Sequence, residues 1–171
     1  MANNIVNSSV IGVNLQGNSD GATALFGLGQ HVVGSAGSEW IYVSAAGALT
    51  TGSLVAINSA FTAKLALATD LFGTTPGSGM QLAFAQGAFA ASDFGWVVIR
   101  GANMVAAVSN VSTLGAALYV STNSGIITTA AGSGTLAGII LATASATGVL
   151  NAATVAYLQY PRLSPGALFG V

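Results

Sequence analysis

The sequence predicts an all-β fold: a compact antiparallel β-barrel or β-sandwich with an extended N-terminal arm and a short C-terminal tail. Three observations predict it. Runs of β-branched and aromatic residues, such as Trp40-Ile41-Tyr42-Val43, favour a pleated surface. Turn signals recur roughly every ten residues, the spacing of sandwiches and small barrels. Gly and Thr interrupt the abundant Ala too often for a helix to run far.

The elements follow in order. In residues 1–37, Asn, Ser and Gly punctuate short apolar pairs: Ile5-Val6, Val10-Ile11, Leu25-Phe26 and Val32-Val33. No helical period holds across them. The segment is too apolar for an ordinary disordered tail. Two readings stand: an arm that orders against a neighbouring subunit, or edge strands of its own domain. The domain proper spans 38–161. Trp40–Val43 opens it, Ala46-Gly47 and Thr51-Gly52 mark turns, and Leu54–Ile57 is the next strand. Residues 58–70 read as strand or short helical turn. Residues 73–79, GTTPGSG, form a loop. Leu82–Phe89 is apolar, interrupted by Gln86-Gly87. Phe94–Ile99 is a strand closed by Gly101, and Met104–Val108 and Ala117–Val120 are further short strands. Asn123-Ser124-Gly125, flanked by Tyr119-Val120 and Ile126-Ile127, suggests a hairpin. Leu136–Leu141 and Thr154–Tyr160 are the last strands. The tail, 162–171, follows Pro161.

Composition bounds the function. Of 171 residues, 53% are hydrophobic and 4% charged, with no cysteine and a single histidine. The absence of cysteine removes disulfides, thiolate metal sites and cysteine nucleophiles. The charged set is Lys64, Arg100 and Arg162 against Asp20, Glu39, Asp70 and Asp93, for a net charge of -1. Three scattered basic residues make no nucleic-acid footprint. Near-zero net charge favours association, because little repulsion keeps copies apart. Mean hydropathy is +0.75. Even so, no apolar run approaches the roughly 18 residues of a spanning helix. The N-terminal residues, MANNIVNSSV, have no basic stretch leading into an apolar one, so no secretory signal is expected. The expected partners are therefore proteins, with neither nucleic acid nor membrane among them.

No catalytic, cofactor-binding or metal-binding residue emerges, and the chain reads as a non-enzyme with no cofactor. His31 lies between Gly29 and Gly34 with no nucleophile or carboxylate motif around it. The carboxylates are isolated in sequence. Asp93, between Ser92 and Phe94, reads as a turn residue. The Gly-rich stretches at 34–38 and 130–134 lack the phosphate-loop lysine and the dinucleotide-binding spacing. The aromatic residues carry more information. Trp40 and Tyr42 share a strand face by period two, as do Phe94, Trp96, Val98 and Arg100. Trp96 reads as core and Arg100 as a rim residue. Trp40 fits either core or an interface, where Trp, Tyr and Arg concentrate binding energy. The candidate interface set is Ile5, Val6, Val10, Ile11, Leu25, Phe26, Trp40, Tyr42, Arg100 and Arg162.

Three runs, SEWIYVSAAGALTTGSLVAIN, LAFAQGAFAASDFGWVVIRG and ALYVSTNSGIITTAAGSGTLAGIIL, resemble the capsid decoration, or cement, proteins of tailed bacteriophages and their podovirus relatives. The resemblance covers residues 38–161. DFGWVVIRG at 93–101 is its most specific block. It implies a small β-barrel or sandwich, assembled as a trimer on the capsid exterior and bridging adjacent major capsid proteins against internal DNA pressure. It implies no catalytic residues. The competing expectation is a head-fibre or tail-associated module that binds host glycans.

Overall fold

A computed structural model describes residue 15 and residues 20–67, 80–109, 113–121, 125–130, 135–144 and 152–163. The expected loop at 73–79 and the tip of the 123–125 turn lie outside the described residues, save Gly125. Ten strands form: β1 (His31–Val33), β2 (Glu39–Ala45), β3 (Leu54–Ile57), β4 (Thr62–Leu65), β5 (Gln81–Ala85), β6 (Phe94–Ser109), β7 (Leu118–Val120), β8 (Ile127–Thr128), β9 (Thr135–Leu141) and β10 (Ala152–Leu163). Among the described residues the only helical element is one 3-10 turn, Ser35–Gly37. The all-β fold class is observed.

All ten strands belong to one sheet that closes on itself. Strands β2, β4, β3, β5 and β6 pair in sequence, and β6 returns to β2, giving a closed five-stranded barrel. A second circuit of backbone pairing runs β6–β10–β9–β7–β8 and returns to β6. Strand β6 serves both. Its first half pairs with β2 from Phe94 to Arg100, and its second half pairs with β10 from Arg100 to Val108. Pairing is antiparallel except for short parallel contacts between β2 and β4 and between β6 and β8.

Burial follows from this arrangement. Alternate residues of the five barrel strands fill its interior: Ile41, Val43, Val55, Ala63, Ala83, Ala85, Val97 and Ile99. Five strands enclose a narrow lumen, so small side chains are needed there; Ala45, Ala63, Ala83 and Ala85 supply them. The other faces are also covered. Trp40, Tyr42, Leu54, Phe84, Trp96 and Val98 belong to a second apolar cluster that includes Val120, Ile127, Leu141 and Leu158 from the second circuit. Strands buried on both faces read as continuous apolar runs rather than alternating ones. That is why the chain is so hydrophobic while most of the large apolar side chains among the described residues are buried.

Three elements depart from the sequence reading. The strands expected at Phe94–Ile99 and Met104–Val108 are one sixteen-residue strand. Gly101 does not end it. Asn103 takes a left-handed φ of 57°, the signature of a bulge that bends a strand without breaking it. The ambiguous stretch 58–70 contributes strand β4, held beside β3 by three register pairs. Strand β10 continues through Pro161 to Leu163, two residues past the expected limit of the domain. Within the expected arm, β1 pairs with β2 of its own sheet, and Asp20 N–H donates to the Phe94 carbonyl at 2.7 Å.

Candidate functional site

An open groove of about 560 Å³ lies at the junction of the two circuits. Strand β10 supplies one wall through Tyr157, Leu158 and Gln159, and β9 supplies Gly138 and Ile140. The other wall is Arg100, Gly101 and Ala102, closed by Ala36 and Gly37 of the 3-10 turn. Period two explains its apolar side chains. Thr154, Ala156 and Leu158 face the core, so Tyr157 and Gln159 face outward. Tyr157 sits opposite Ile140 across the β9–β10 ladder. Ile140 is 62% exposed and Tyr157 48%. Such cross-strand pairs stabilise sheets, but here both members keep much of their surface open.

One end of the groove carries a charged cluster. Arg100 Nη1 donates to Glu39 Oε1 at 2.8 Å. Tyr160 Oη donates to the other carboxylate oxygen, Oε2, at 2.6 Å. The Arg100 guanidinium carbon lies 6.0 Å from the Tyr160 ring centroid, within cation–π range. The Tyr160 hydroxyl, then Arg100, hold the Glu39 carboxyl below the usual carboxylate range. Its partnership with Glu39 pushes the Tyr160 phenol up. Val33 lies directly across from Glu39 on the edge strand and is also exposed. Val33 and Tyr160 thus adjoin one ion pair, and Ile140 and Tyr157 share the groove with its Arg100.

The candidate interface residues are placed as follows. Ile5, Val6, Val10 and Ile11 lie outside the described residues. Trp40 and Tyr42, expected as core or interface, carry no exposed surface at all; their contacts are within the chain. Trp40 Nε1 donates to Ser38 Oγ at 3.0 Å. Tyr42 Oη donates to Asp20 Oδ2 at 2.7 Å and accepts the Leu25 N–H at 3.1 Å. Burial, with a further contribution from Asp20, pushes the Tyr42 phenol up to about 12. Phe26 packs edge-on against Tyr42, with ring centroids 5.3 Å apart, and at the same separation from Trp96. Leu25 is 63% exposed. Arg100 and Arg162 are at the surface, and Arg100 alone joins the groove. Asp93 accepts the Ala90 N–H at 2.8 Å in a turn. His31 is exposed on the edge strand, with Glu39 close enough to feel its charge.

Ile140, Tyr157, Tyr160 and Glu39 were not among the candidates read from sequence. A signal for Tyr157 was present: it shares its face with Gln159, and a polar residue on a strand face marks that face as wet. Nothing local placed Tyr160 beside Glu39, which is 121 residues away. Among the described residues no three His, Asp or Glu side chains gather into a metal-binding group. Compared with known proteins, the chain matches no protein-family model, no curated protein and no solved structure.

Proposed function

We propose that the chain is a structural protein of a tailed-phage virion: a decoration protein that assembles as a trimer on the capsid exterior and bridges adjacent major capsid proteins. The observation that carries this reading is the surface around Arg100. Exposed Val33 and Tyr160 adjoin a single ion pair, and exposed Ile140 and Tyr157 line the groove that its Arg100 enters, on a closed β body. Tyr and Arg are the residues that concentrate energy in protein interfaces. The chain has few other charges to desolvate. Weak contacts of this kind add up when many copies bind one lattice. The resemblance of residues 38–161 to cement proteins supports the same reading.

A second reading draws on the same groove. Tyr157 exposes its ring beside Gln159 and Arg100. An aromatic platform flanked by planar polar groups suits a sugar ring, which favours a head-fibre or tail-associated glycan binder.

Copy number separates the two. Quantitative mass spectrometry of purified virions should find this chain at parity with the major capsid protein, or at a simple fraction of it. A handful of copies per particle would transfer the chain to the second reading. Absence from virions would overturn both.

A further inference from the structure

Strand β10 contains a large irregularity beside the groove. Leu158 pairs with Ile139 of β9, and the next β9 pairings are Arg162 with Ala137 and Leu163 with Leu136. Between those registers β9 has one residue, Gly138, while β10 has three: Gln159, Tyr160 and Pro161. Pro161 has no N–H to give the ladder. Tyr160 adopts a left-handed φ of 48°, an outlier for a bulky side chain. Gly138, at φ 79°, lies so close that a Cβ there would collide with the Gln159 and Tyr160 carbonyl oxygens. The bulge is therefore strained, and strain of this kind persists only where surrounding contacts over-determine it. The described side-chain contacts that hold Tyr160 are its hydrogen bond to Glu39 and its ring contact with Arg100. Those three side chains come from β10, β2 and β6.

We propose that Glu39, Arg100 and Tyr160 form an acid-releasable latch that holds the β10 bulge against the barrel and so sets the shape of the groove. The groove wall Tyr157–Gln159 leads directly into the bulge. When Glu39 accepts a proton, the carboxylate loses its ion pair with Arg100 and its charge-assisted bond from Tyr160. The bulge then relaxes, and the wall moves with it. The charged and titratable groups facing Glu39 are Arg100 on β6, Tyr160 on β10 and, more weakly, His31 on β1. The latch is a property of the chain alone and does not depend on capsid binding.

Amide hydrogen exchange of the full chain, read by mass spectrometry and corrected for intrinsic rates, tests this. In Tyr160→Phe at neutral pH, the peptide spanning 157–163 should exchange about tenfold faster, the signature of local opening. The barrel peptide spanning 95–99 should be unchanged. Wild type should show the same acceleration when acidified through the Glu39 titration. Glu39→Gln should show it at neutral pH, with no further response to acid. Wild-type exchange at 157–163 in Tyr160→Phe would overturn the latch. Equal acceleration in both peptides would also overturn it, because the cluster would then support the whole barrel. Tyr160 is at the surface, so this variant decides the matter even where Glu39→Gln fails to fold.

Discussion

Replacing Trp40 with Ala distinguishes a core residue from an interface residue. Trp40 is 0% exposed and sits among Leu15, Val32, Tyr42 and Val98 in the larger apolar cluster. A buried Trp removes roughly 150–250 Å² from water. At about 25 cal/mol per Å² that area represents roughly 4–6 kcal/mol, an upper bound because unfolded chains are partly compact. Large-to-Ala substitutions at such sites cost about 3–5 kcal/mol. The lost hydrogen bond adds little. Ser38 Oγ accepts from Trp40 Nε1 but also donates to the Ser35 carbonyl at 3.0 Å, so it keeps a partner. The expected loss is about 4 kcal/mol, a large part of the roughly 5–15 kcal/mol that stabilises a typical domain. For a chain of this length that lowers Tm by roughly 8–16 °C. Urea unfolding followed by circular dichroism, at concentrations low enough to keep the chain unassembled, measures it. A change under about 1 kcal/mol, accompanied by loss of self-assembly, would refute the reasoning and place the indole at a subunit contact.

Four other outcomes are expected. Gly138→Ala should destabilise by more than about 2 kcal/mol in thermal melts, from the left-handed backbone plus a backbone collision. Gln86→Leu should cost about 2–3 kcal/mol in urea titrations, because its amide both donates to the Val105 carbonyl at 2.9 Å and accepts the Val105 N–H at 2.8 Å. Ala83→Leu should cost about 1–3 kcal/mol or abolish folding, since the five-stranded lumen has no room for the added carbons. Tyr42 binds its proton more tightly folded than unfolded. Its contribution to stability is therefore complete below the unfolded phenol's range near pH 10 and is lost as pH rises toward about 12. Ultraviolet phenolate titration should show one tyrosine ionising only near that upper value, and Tyr42→Phe should remove that late step.

The acid side has the opposite sign. Glu39 is held below the usual carboxylate range by Tyr160 and Arg100. Its contribution is present above the unfolded carboxylate's range and disappears as pH falls through the folded value. Arg100 is exposed and Glu39 only half-buried, so the effect is screened and local rather than global.

Period-two patterning and turn chemistry were enough to locate β2, β3, β9 and most of β10, because each is a β-branched or aromatic run bounded by Gly, Thr or Asn. They failed at Gly101 and Pro161. Both are local breakers, and both are absorbed by bulges because partner strands continue on either side. The segment 58–70 was ambiguous for a related reason: β4 has four residues, and only pairing with β3 and β2 makes it a strand. The face of Trp40 and Tyr42 was legible, but not what covers it. An apolar strand face looks the same whether its own chain or a neighbour buries it, and here residues of the chain's own N-terminal segment, Leu15, Phe26 and Val32, pack there.

The sequence by itself determined the class of this protein: all-β, poor in charge and without cysteine chemistry, since these depend on composition and nearest-neighbour patterning. Only the tertiary structure decided which apolar side chains stay exposed. Ring closure buries both faces of most strands, and of the side chains left exposed, Ile140 and Tyr157 share a groove with Arg100 while Val33 and Tyr160 adjoin its partner Glu39, because strands distant in sequence pair there. Contacts that span 61 and 121 residues, from Glu39 to Arg100 and to Tyr160, depend on register, and register is set by the whole sheet rather than by any local run of residues.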